Sequence, residues 1–160
     1  VGAAVVLMML IAGTGIALLL TIESQHEAAG AARRAERIQA AANALERLVV
    51  DLETGVRGFQ ITGQERFLEP WDRAQEQLPG TIATLASEIG DDPARLAGVQ
   101  GIEGMIRSLI EDYQVPVVAL ARRDLEAARR RTATGEGKRR VDAIRARLDT
   151  TAAALDRGGA

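Results

Sequence analysis

Residues 52–71 read LETGVRGFQITGQERFLEPW, and this stretch decides how the chain folds. It holds Gly55, Gly58 and Gly63, one proline (Pro70), and three of the four aromatics: Phe59, Phe67 and Trp71. Upstream, Leu45, Leu48, Leu52, Val56 and Phe59 recur at steps of three and four, the stripe of a helix facing a bundle. Thr62-Gly63 ends that helix, because glycine accepts the left-handed turn that closes helices. Glu65 to Ile89 carries a second stripe (Phe67, Trp71, Leu78, Ile82, Leu85, Ile89). Pro70 falls in its first turns at little cost, whereas Pro79 lies inside it and is expected to bend it. The stretch is therefore a hairpin between two helices. Gly55 and Gly58 allow close approach, and Phe67 and Trp71 fold back over the spot as a lid.

Three further segments follow. Asp92-Pro93 is an N-cap followed by proline at the first helical position. It opens a third helix expected to run to about Thr132, with Leu96, Val99, Ile102, Ile106, Leu109, Tyr113, Val117 and Leu120 on one face. Pro116 predicts a kink or a one-turn irregularity inside it. Arg122, Arg123, Arg129, Arg130 and Arg131 form a basic run, read as a solvated face with Asp124 and Glu126 as partners. Thr134-Gly135-Glu136-Gly137 breaks the chain again. A fourth helix from about Gly137 to Leu155 presents Val141, Ile144, Leu148, Thr151 and Leu155. No strand pattern occurs, and short connections imply antiparallel neighbours.

The first 22 residues, VGAAVVLMMLIAGTGIALLLTI, carry no charge. That length crosses a hydrocarbon core of roughly 30 Å as a helix. A signal peptide's apolar region is shorter, about 7–15 residues, although the small residues Ala28–Ala32 would suit cleavage. A chain opening on Val1 reads as a piece of a longer protein, with a second span beyond residue 160. The expected fold is all-α: an N-terminal transmembrane helix (1–22), a helical connector (23–44) continuous with the first bundle helix, and an antiparallel four-helix bundle (45–157).

Composition excludes several functions. Twenty basic and 22 acidic residues leave a formal charge of −2, and no aromatic interleaves the arginines, so no nucleic-acid partner is expected. The chain has no cysteine, hence no disulfide framework and no thiolate chemistry. The glycine-rich stretch lacks the preceding strand and the GK[ST] ending of a phosphate loop. His26, the only histidine, stands four residues past the apolar run, and the acid pairs Asp91-Asp92 and Glu111-Asp112 read as solvated. No catalytic constellation, metal set or cofactor site is visible, and this chain is not expected to be an enzyme.

Glu53 and Arg57 are four apart and can pair on one helix face beside the stripe. The residues ETGVRGFQITGQERFLEPW (Glu53–Trp71) resemble the first signature of the third type of CHASE domain. TGEGKRRVDAIR (Thr134–Arg145) resembles its second, T-G-x-G-K followed by D-x-I-R, with Val141 where the family often has methionine. The resemblance covers about Leu45 to Thr151. It implies an extracytoplasmic sensory domain between two membrane helices of a bacterial receptor, such as a histidine kinase. It also picks out Thr54, Lys138, Asp142 and Arg145.

In a bundle the two signatures meet at one end. Glu53 or Arg57 is then expected near Lys138 or Asp142, in a polar network or ligand site between the first and fourth helices. Expected partners are the bilayer, a second copy of the chain in a homodimer, and an unidentified small ligand or none. The alternative is a structural dimerisation or spacer bundle without its own ligand. A concave site lined by Arg57 or Tyr113 favours the sensor, and a filled, dry core favours the spacer.

Overall fold

The structure is a computed structural model that describes the backbone of residues 2–157 and the side chains of Gly2, Met8 and residues 29–151. Helices are the only regular elements among the described residues, which contain no strand. The chain divides into two compact units, Val1–Glu36 and Arg37–Ala160. The first is helical along its described backbone. The expected transmembrane run, 1–22, lies outside the residues whose side chains are described, apart from Gly2 and Met8. Among the described residues no helix is long and apolar enough to cross a membrane.

The helices are α1 (Gly2–Thr62), α2 (Glu69–Ile89), α3 (Pro93–Ser108), α4 (Val115–Ala121), α5 (Leu125–Thr132) and α6 (Glu136–Arg157). A one-turn 3₁₀ segment, Glu65–Leu68, precedes α2. A π-helical turn, Leu109–Gln114, joins α3 to α4. Its cause is local. Pro116 has no N–H for the carbonyl four residues back, and its ring crowds that carbonyl. The chain widens, and the Val115 N–H bonds the Ile110 carbonyl five residues back.

Each break has a physical cause. Gly63 (φ 71°) and Gly135 (φ 73°) occupy the left-handed region, and the Gly63 N–H bonds the Phe59 carbonyl at 2.7 Å. The Asp92 side chain accepts from Ala94 N at 3.0 Å and Arg95 N at 3.1 Å, a cap that contributes about 1 kcal/mol.

One break differs from the sequence expectation. The third helix does not run on to Thr132; it stops at Ala121, and α5 begins at Leu125. Asp124 is the cause. Its carboxylate accepts from the Ala127 N–H at 2.9 Å, which makes it the N-cap of α5 rather than an ion partner of the arginines. Neither glycine nor proline marks this break.

Within the second unit, four rods surround one core: α1 from Arg37 onward, α2, α3–α4, and α6. Arg37 meets Glu88 at 2.9 Å, and Gly55 meets Trp71, so α1 and α2 are antiparallel. Gly98 faces Thr151 and Ser108 faces Arg140, so α3 and α6 are antiparallel. Glu46 and Arg145 join α1 to α6. The two bundle termini, near Arg37 and Thr151, consequently share one end, and both signatures lie at the other. Burial starts ahead of Leu45, at Ile38 and Ala41. Leu45, Val49, Leu52, Ile102 and Val117 are fully enclosed. This is the apolar stripe on which each rod's helical stability depends.

Candidate functional site: the signature end of the bundle

The α1–α2 hairpin closes tightly. A Cβ on Gly55 would stand 2.8 Å from Trp71 Cβ and 2.9 Å from Trp71 N; one on Gly58 would stand 2.9 Å from Phe67 Cδ1. Phe67 and Trp71 lie over these two glycines, and Phe59, next along α1, is 2% exposed. Pro70 is the second residue of α2, where its missing N–H costs nothing. The Trp71 indole N–H donates to Gln114 Oε1 at 2.9 Å, tying the lid to the π-helical turn.

Behind the lid lies a cavity of about 40 Å³. Glu53, Arg57 and Gln60 of α1 line one side; Tyr113 and Gln114 of the π turn and Gly137 and Lys138 at the start of α6 line the other. A water needs roughly 10–15 Å³ of such space, so the cavity suits a few waters and not a metabolite. Gly137 lets α6 close on the π turn, since a Cβ there would stand 2.7 Å from Tyr113 Cε1. The Tyr113 ring has Arg131 and Arg140 guanidinium groups each 5.9 Å from its centre.

Glu53, Arg57 and Lys138 thus line one cavity from opposite sides, and each charge is paired along its own helix. Glu53 bonds Arg57 at 2.9 Å, and Lys138 bonds Asp142. Asp142 and Thr54 are exposed and do not line the cavity. The ion pair that crosses from α1 to α6 lies further along: Arg145 Nε is 3.3 Å from Glu46 Oε1, without hydrogen-bond alignment.

Two residues that the sequence did not single out belong to this site. Gln60 is 3% exposed and Gln114 2%. Gln60 Nε2 is buried with no hydrogen-bond partner among the described residues, and an unmet buried amide of this kind costs about 1–3 kcal/mol. A signal was present: Gln60 follows Val56 by four, and Gln114 precedes Val118 by four, both helical core spacings.

The basic run is largely solvent-exposed, as expected for a solvated face, and two of its arginines also clamp neighbouring elements. Arg129 donates to the Gln60 carbonyl at 3.0 Å and to the Ile61 carbonyl, satisfying the open end of α1, and also pairs with Glu126. Arg122 grips Glu65 through two hydrogen bonds of 2.8 Å. Those bonds hold the Glu65 carboxyl below its ordinary range. A carboxylate lowered in the folded state contributes stability above its unfolded pKa and loses it as pH falls through the folded one. Wild type should therefore exceed Glu65→Gln in midpoint at neutral pH, with the gap closing below the usual carboxylate range. Thermal melts across that window check this, and a gap independent of pH contradicts it.

A ring of antiparallel helices, with two signature segments meeting at the end opposite its termini, defines a four-rod helical bundle. The CHASE3 domain family matches residues 28–158, and the chain belongs to that family. The sensor domain of the histidine kinase HK9 from Rhodopseudomonas palustris is similar in structure. It superposes with a TM-score of 0.61 at 24% identity, covering 77% of this chain and 93% of that one. At this identity the likeness speaks for the fold. No curated protein matches the chain.

Proposed function

We propose that this chain is the sensory input domain of a bacterial membrane receptor with a histidine-kinase output. Residues 1–22 form its transmembrane helix, and the bundle stands outside the cytoplasm. A stimulus shifts α6 relative to α1, and the two helices carry the shift toward the membrane. The observation that carries this reading is the α1–α6 seam within a CHASE3 domain. Both helices reach the bundle end that holds its termini, and the Glu46–Arg145 pair bridges them. CHASE3 membership and the solved histidine-kinase sensor domain support the receptor context.

A spacer or dimerisation role is favoured by one observation: the signature cavity is lined by Arg57 and Tyr113, as the sensor reading asks, but at about 40 Å³ it is too small for a metabolite. The chain's lack of cysteine gives a clean background to separate the readings. A cysteine pair placed across α1 and α6 at the level of Glu46 and Arg145 should freeze receptor output when oxidised and release it on reduction. Output that responds normally with the bond formed sinks the relay and leaves the spacer.

A further inference from the structure

We propose that the stimulus binds in the groove between α2 and α3, as a small amine with an apolar body, and acts on the signature end through the π-helical turn. The groove encloses about 580 Å³, within the range of about 300–1,000 Å³ typical of small-molecule sites. Leu78, Ile82, Leu96 and Ile106 form apolar walls, and Ile110 and Glu111 close one end. The charges at the rim choose the head group. Arg107 is neutralised by Glu103 at 2.8 Å, whereas Glu111 makes no ion pair among the described residues. That leaves one unpaired carboxylate beside an apolar slot. An ammonium group answers it, and a carboxylate ligand is repelled.

The link to the signatures is built into the turn Leu109–Gln114. Ile110 and Glu111 face the groove. Leu109, Tyr113 and Gln114 line the signature cavity, and Gln114 accepts the Trp71 indole N–H. A π-helical turn carries one residue more than an α turn and recurs at functional sites. An occupant that presses Ile110 and pairs with Glu111 loads the element that positions Tyr113 against Gly137 of α6 and Gln114 against Trp71.

This inference rests on the sensory reading for its meaning, but binding is measured without receptor output, so either can fail alone. Phenylbutylamine, phenylbutanol and phenylbutanoate share one body and differ in charge. Calorimetry on the full chain gives their affinities, and Trp71, the sole tryptophan, reports on the turn. The amine should bind about threefold or more tighter than the alcohol, the increment of an exposed ion pair, and the carboxylate most weakly. Glu111→Gln should bring the amine to the level of the alcohol. Ala83→Trp, at an exposed groove position, should abolish binding of all three. Amine binding should also shift Trp71 fluorescence. Equal affinity for phenylbutanoate, binding that survives Ala83→Trp, or no binding by any of the three overturns the site. So does self-association that Ala83→Trp relieves, which would make the groove an interface between copies. Binding with unchanged Trp71 emission overturns the link through the turn.

Discussion

Replacing Phe59 by alanine should destabilise the folded chain by about 3–5 kcal/mol, the cost of emptying a buried phenyl site. Phe59 is 2% exposed and lies where three elements meet. The lid residues pack on Gly55 and Gly58 beside it, Arg122 stands 6.0 Å from the ring centre, and the Phe59 carbonyl takes the N–H that closes α1 at Gly63. Little backbone nearby is free to collapse into the space, because the hairpin is pinned on both sides. Domains of this size are held by only about 5–15 kcal/mol, so the variant should unfold at a much lower denaturant concentration. Urea unfolding followed by helical circular dichroism checks this, and a loss below about 1 kcal/mol contradicts the packing account.

Gly55→Ala should also destabilise, although alanine is the better helix former. Its Cβ would meet Trp71 Cβ at 2.8 Å and Trp71 backbone N at 2.9 Å, so relief requires moving α2 itself. Overpacking of this kind costs about 1–3 kcal/mol, against a helix-propensity gain of about 0.5–1 kcal/mol. Gly104→Ala is the matched control. Gly104 lies within α3 with nothing inside 4 Å of the added carbon, so there the gain of about 0.5–1 kcal/mol should appear unopposed. Opposite signs for one chemical change separate close approach from propensity. Two shifts of the same sign contradict the hairpin geometry.

Local features of this fold were legible in sequence because they rest on local physics. Gly63 and Gly135 mark turns that need positive φ, Asp92-Pro93 marks a cap, and the stripe from Leu45 to Phe59 marks a buried face. Pro116 announced an irregularity, and the structure resolves it as a π-helical turn. The break before α5 was hidden because Asp124 makes it alone, without glycine or proline, inside a run whose arginines suit a helix.

The site was legible in part. The signature glycines, Phe67 and Trp71 declare a tight hairpin. Glu53, Arg57 and Lys138 could be placed at one end of the bundle from topology. The Glu53–Arg57 pair was legible from its spacing of four. That Lys138 turns to Asp142 and not across to α1 was not, because an opposite charge one helical turn away competes with any cross-helix partner. The contacts Glu46–Arg145 and Glu65–Arg122 join residues far apart in sequence, and no periodicity announces them. Gln60 and Gln114 went unnoticed because amides are usually exposed, and their core spacing is the only clue.

The central claim is that the α1–α6 seam carries the signal, and charge reversal across Glu46 and Arg145 tests it most directly. Output of the full receptor is measured for Glu46→Arg, Arg145→Glu and the double variant. Each single reversal places like charges across the seam and should shift basal output, while the double reversal restores attraction and should return output toward wild type. Single reversals that leave output unchanged, or a double variant in which the two effects simply add, would contradict the account.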